Sequence, residues 1–181
     1  MRSFLALPLS EDARARLGAL QASIPVGRAV PVDNLHVTLA FLDDRSEADL
    51  SALNDELELA DLPACALRLE GLVALGGAAP RVIGAAVVRD AALDALHSEV
   101  QRAVRRAGLK LPRRRFRPHV TLARLQPWDA GDVPQILAAE SGFRLDAGPV
   151  AELVLYRSVL RRDGARHDAL AAYPLAGADG A

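Results

Sequence analysis

The chain has 181 residues, 51% of them hydrophobic and 25% charged, with a net charge of −1, so it can bury a sizeable core. The near-neutral balance excludes bulk electrostatic attraction to nucleic acid or membrane, and any such attraction must be local. The single cysteine, Cys65, excludes an internal disulfide and fits a reducing, cytoplasmic setting.

Residues 3–9 are apolar but too short for a signal-peptide core or a membrane span, and Glu11 and Asp12 follow at once. Residues 2–7 read as a strand closed by Pro8. Ser10 is a good N-cap for a helix to about residue 22, with Ala13, Leu17, Leu20 and Ile24 at helical spacing. Pro25 and Gly27 end it, and residues 28–34 read as a loop before a strand over about 35–42. Ser46 caps a second helix with Asp49 as its capping-box partner, and Leu50, Leu53 and Leu57 form its buried face. Residues 43–61 carry eight acidic side chains against Arg45 alone, which reads as a solvated face.

Residues 66–75 and 80–88 read as strands around Gly76-Gly77-Ala78-Ala79-Pro80. That glycine pair marks a hairpin rather than a phosphate loop, since no helix start or Gly-Lys-Ser/Thr follows. Asp90 caps a third helix with a stripe of Leu93, Leu96, Val100 and Val104, stopped at Gly108. Residues 100–128 hold nine basic side chains and no acidic one. Arg113, Arg114, Arg115 and Arg117 crowd just ahead of a strand over about 119–125. A solvated basic loop is the bland reading, and a phosphate-attracting rim is the favoured one. A short helix is expected over 132–141, then strands over 143–147, 150–160 and 166–173. Asp163-Gly164 marks a turn between the last two, and the tail from Gly177 is expected to fray.

One pattern stands out from this order. His36-Val37-Thr38-Leu39-Ala40 recurs as His119-Val120-Thr121-Leu122-Ala123, and Thr38 and Thr121 are the only threonines in the chain. On a strand, side chains alternate faces. His36 with Thr38, and His119 with Thr121, then share a polar face, while the valines and leucines enter the core. The rough duplication predicts an α+β fold of two lobes, each lending one motif strand to a shared groove. Two imidazoles across a groove suit paired acid–base catalysis, because a pKa near 6.5 lets one ring start neutral and the other protonated. The threonine hydroxyls suit phosphate oxygens, and arginine suits the charge that grows on them. Arg124 lies five residues after His119, so a regular strand would turn it to the opposite face. His97 and His167 lack a partner motif and read as structural or surface residues.

At these residues the sequence resembles the two-histidine (2H) phosphoesterase superfamily, and within it the bacterial RNA 2′,3′-cyclic phosphodiesterases, also called 2′-5′ RNA ligases. Arg2 to Leu7, Asn34 to Leu42, Phe116 to Arg124, Leu155 to Ser158 and Tyr173 to Leu175 carry the likeness. The resemblance implies a bilobal duplicated α+β fold over 1–181, with two antiparallel sheets lining a central cleft and helices outside. It implies metal-independent, cofactor-free opening of RNA 2′,3′-cyclic phosphate ends to 2′-phosphomonoesters. By the same resemblance His36 is the proton donor and His119 the proton acceptor, Thr38 and Thr121 hold the phosphate, and Phe41 helps seat a base; spacing alone leaves the order of the histidines open. Arg115, Arg117 and Arg124 are further candidates for RNA or phosphate contacts. The expected partners are RNA 3′ ends or 2′,3′-cyclic nucleotides, acted on by a monomer away from membranes. An RNA-end binding or 2′-5′ ligating module is the alternative, and metal ligation by the two histidines is the weakest reading, because no Cys or carboxylate stands at ligand spacing.

Overall fold

The computed structural model describes residues 1–113, 115–161 and 164–177, with only the backbone of Arg161. Arg114 of the basic run, Asp163 of the expected turn and the tail beyond Gly177 therefore lie outside the described residues. Nine strands and four α-helices follow in the order β1 (Arg2–Pro8), α1 (Glu11–Ala22), β2 (Arg28–Ala29), β3 (His36–Asp44), α2 (Glu47–Glu58), β4 (Ala66–Leu75), β5 (Val82–Val87), α3 (Ala91–Arg106), β6 (His119–Arg124), α4 (Val133–Ala139), β7 (Arg144–Pro149), β8 (Glu152–Arg161) and β9 (Gly164–Pro174) among the described residues.

The helices start where side chains can satisfy the orphan N–H groups of a first turn. Ser10 Oγ accepts from the Ala13 amide at 3.2 Å, and Asp90 Oδ1 accepts from the Leu93 amide at 2.9 Å. Ser46 and Asp49 form the reciprocal capping box of α2, each side chain accepting from the other's amide at 3.1 Å. Leu17 of α1, Leu53 of α2 and Leu96 of α3 are fully buried in one core with Leu5, Val37, Val120 and Leu122 of the strands. The expected loop over 28–34 contains two ordered pieces, the short β2 and a 3₁₀ turn over Val32–Asn34.

The two expected antiparallel sheets are present as halves of one continuous sheet. Its order is β7-β4-β5-β6-β3-β1-β8-β9, with β2 also paired to β6. The halves meet between β3 and β6 through the single antiparallel pair Val37–Val120. That register sets His36 across from Thr121 and Thr38 across from His119. Each motif strand then carries a β-bulge at its fourth residue. In β3 the partners run Ala6–Thr38 then Leu5–Ala40, leaving Leu39 extra. In β6 they run Gly84–Thr121 then Ile83–Ala123, leaving Leu122 extra. A bulge shifts alternation by one residue. Both strands accordingly read partly buried, buried, partly buried, buried, buried, exposed, with Phe41 and Arg124 at the exposed position.

The second bulge is tied down by a residue that helical patterning passes over. Gln21, buried in α1, donates from Nε2 to the carbonyls of Leu122 at 2.7 Å and Val30 at 2.8 Å. Replacing it with leucine removes two hydrogen bonds from a buried site, at a cost of about 1–3 kcal/mol. Gln21→Leu should therefore lower the urea midpoint of unfolding by an amount equivalent to that loss, measured with an unchanged m-value.

Candidate active site

The two imidazoles are held in the same way. His36 Nδ1 lies 2.7 Å from the carbonyl of Asn34, and His119 Nδ1 lies 2.8 Å from the carbonyl of Arg117. A carbonyl only accepts, so each Nδ1 carries the hydrogen and each Nε2 is left to exchange a proton. Thr38 Oγ1 lies 3.1 Å from His36 Nε2 and can donate to it. Asn34 is itself fixed, since its Nδ2 donates to the Ala165 carbonyl at 2.6 Å and ties the start of β3 to the β8–β9 hairpin.

Around His36 the surroundings are aromatic. Phe4 stacks on its ring with centroids 4.9 Å apart, and His167 meets it edge-on at 5.2 Å. His167 thus belongs beside the catalytic candidate and not among structural residues. Sequence reading missed it because the contact comes from the long return of β9, which no motif marks. His97 is also at the site's margin: it stacks on Phe116 with centroids 3.8 Å apart and lines the groove described below. Its contact with Phe116, together with the Arg89–Asp94 ion pair at 2.9 Å, holds the basic run against α3.

Both bulges change the reading of a candidate residue. Phe41 pairs with Phe4, the residue stacked on His36, so the bulge at Leu39 returns it to the polar face. It is 54% exposed, available for stacking. Arg124 returns in the same way, and its charge acts on both His36 and His167. A regular strand would have hidden both.

Beyond the Val37–Val120 pair the two halves of the sheet diverge, and a groove of about 880 Å³ opens between β3 and the run before β6. Thr38 and His119 lie at its motif end, and Phe41, Arg113, Arg115 and Arg117 are on its walls. His36, Thr121 and Arg124 are not among its lining residues. Among the described residues, no three His, Cys, Asp or Glu side chains gather as metal ligands.

Electrostatically the two rings differ. Burial pushes His36 down to about 4; the Asn34 hydrogen bond opposes this, while the charges of His167, His119 and Arg124 reinforce it. His119 is also lowered by burial, against the pull of the Arg117 carbonyl. Both rings are thus held toward the neutral form near pH 7.

A family model described as the 2′-5′ RNA ligase superfamily matches residues 9–161. The chain belongs to that superfamily, within the 2H phosphoesterases. A relative from Geobacillus stearothermophilus named RNA 2′,3′-cyclic phosphodiesterase is 32% identical over 97% of this chain and 57% of its own length. The chain therefore spans a little over half of that relative. One of the same name from Thermus thermophilus is 33% identical over 99% of this chain and 93% of its own. The crystal structure of E. coli LigT complexed with 3′-AMP matches at a TM-score of 0.78 and 25% identity, over 97% of this chain and 98% of that one. Family membership supports phosphoesterase chemistry. Among the described residues, no helix is long and apolar enough to cross a membrane.

Two outcomes follow from the site's packing. His36 binds its proton more weakly when folded than the ordinary value of about 6.5, so the unfolded chain takes up more protons between these values. Stability should therefore fall as pH drops from about 6.5 toward about 4, and His36→Gln should recover ~1–3 kcal/mol of that loss, allowing for the ring's partial exposure. Gly84 is the second case: a Cβ there would meet the Val120 carbonyl oxygen at 2.9 Å and His119 Cδ2 at 3.1 Å. Gly84→Ala should shift the NMR titration and ring signals of His119 while those of His97, on α3, stay in place.

Proposed function

We propose that this chain opens RNA 2′,3′-cyclic phosphate ends to 2′-phosphomonoesters by paired histidine acid–base catalysis without a metal. The observation that carries this reading is the matched pair of imidazoles, each with Nδ1–H donated to a backbone carbonyl and Nε2 left to work. The name shared by the Geobacillus and Thermus relatives supports it.

In the proposed step, water attacks phosphorus and gives its proton to Nε2 of His119. The P–O3′ bond breaks, and the departing O3′ takes the proton from Nε2 of His36. The products are a 2′-phosphate and a 3′-hydroxyl, with His119 protonated and His36 neutral, and exchange with water resets both. Thr38 and Thr121 donate hydrogen bonds to the non-bridging oxygens, and Arg124 balances the charge that grows there. Phe41 seats a base, and Arg115 and Arg117 draw the preceding phosphates into the groove.

The order of the two rings comes from the family resemblance. Burial makes His36 the harder ring to protonate, and the anionic substrate works against it. A bound phosphodiester adds attraction that works against the burial chiefly responsible for depressing His36, and it neutralises the smaller effect of the Arg124 charge. His36 then carries a proton it releases readily, which suits an acid for an alkoxide leaving group.

Ligation is the second reading. It is the same ring opening with a 5′-hydroxyl in place of water: O5′ bonds to phosphorus as the P–O3′ bond breaks, giving a 2′-5′ phosphodiester and a 3′-hydroxyl through the same pair of imidazoles.

The test is product analysis from a 2′,3′-cyclic nucleotide with a chelator present. A 2′-phosphate is expected, and His36→Ala and His119→Ala should each lower kcat by ~10²–10⁴-fold. A substrate with sulfur at the 3′ bridging position needs no proton on its leaving group. It should restore turnover in His36→Ala but not in His119→Ala. Rescue of His119→Ala instead would reverse the two roles.

A further inference from the structure

Asp43 stands at the end of β3 in a conformation that L-residues avoid. Its φ is 59°, and it is the one non-glycine residue with positive φ among those described. A further bulge places it there: Phe4 pairs with Phe41 and Ser3 with Asp43, leaving Leu42 extra and fully buried. Glycine fits such a bulge without strain. A left-handed aspartate is strained where glycine is not, and strain of this kind gathers at functional sites.

The carboxylate is exposed and lines the same groove as Phe41. It makes no ion pair or side-chain hydrogen bond with another described residue, although Lys110 and Arg113 line that groove too. A carboxylate used only to balance those cations would be expected to pair with one. Asp43 follows Phe41 across the Leu42 bulge, and the two line one groove. That placement suits a base stacked on the Phe41 ring with its edge directed toward Asp43.

We propose that Asp43 reads the edge of the base seated on Phe41, favouring guanine and disfavouring uracil. An ionised carboxylate only accepts hydrogen bonds. Guanine presents two adjacent donors, N1–H and the N2 amino group, which match two carboxylate oxygens. Adenine and cytosine each present one amino group. Uracil presents a single N3–H flanked by two carbonyl oxygens that the carboxylate repels. The inference rests on the cleft being a nucleotide site and adds base selectivity to it.

Calorimetric binding of the four nucleoside 2′-monophosphates decides the matter, because it does not depend on turnover. The unmodified protein should bind the guanosine form about tenfold more tightly than the uridine form. Asp43→Gly should keep or raise the melting temperature, since glycine relaxes the backbone, while that ratio collapses toward one. Asp43→Asn, which both donates and accepts, should likewise narrow the gap. The proposal is overturned if the unmodified protein shows no preference, if the ratio survives in Asp43→Gly, or if none of the four binds. Turnover of the four cyclic nucleotides, run in parallel, tests the hydrolytic reading separately: selective binding without turnover would sink hydrolysis and leave the role of Asp43 standing.

Discussion

The site depends on one backbone contact, the antiparallel pair Val37–Val120. Both side chains are fully buried, and the pair joins two halves of a sheet that otherwise diverge. Because the strands run in opposite directions about that point, each histidine faces the other strand's threonine. Two copies of His-Val-Thr thereby become one constellation with an approximate twofold relation. Had the halves met one residue away on either strand, alternation would have turned one imidazole toward the core. The valines between histidine and threonine are thus as constrained as the polar residues beside them.

The matched bulges extend this symmetry and then break it chemically. Leu39 and Leu122 are the extra residues, and each brings the second residue after it back to the polar face. In the first half that residue is Phe41, in the second Arg124. One arm of the cleft thus presents an aromatic ring and the other a guanidinium. The partner strands differ accordingly: Ala6 lies opposite Thr38, while Gly84 lies opposite Thr121 and leaves room for the His119 ring. Phe4, the stacking partner of His36, corresponds to Val82 in the other half. His36 consequently sits in an aromatic nest and His119 against open glycine backbone.

Much of this was legible in the sequence. Helix caps at Ser10, Ser46 and Asp90 are local signals, read directly from residue types and spacing, and every helix they announce is present. The doubled motif gave the site its four central residues because a strand's period of two is a local property. What escaped was non-local. His167 reaches His36 only through the pairing of β9 with β8 and β8 with β1. Gln21 interrupts an apolar helical stripe to serve carbonyls in a distant strand. The bulges were invisible because an inserted residue changes no local preference; it shows only against the partner strand. Phe41 and Arg124 could be doubted from periodicity alone for that reason.

The unequal surroundings of the two histidines have a functional consequence. A ring driven down to about 4 by burial, and further by neighbouring positive charge, is by itself a poor proton holder. Protonating it there would place positive charge beside Arg124 and near His119 and His167. An anion between these groups offsets part of that depression by attracting the proton that the neighbouring charges repel, while the cost of burial remains. On the proposed reading, anion binding and protonation of His36 are then linked events. Neutral ligands of similar shape bring no such attraction and leave His36 unprotonated. The same linkage predicts that anion affinity rises as pH falls toward the point where His36 accepts its proton, with free phosphate a sufficient probe.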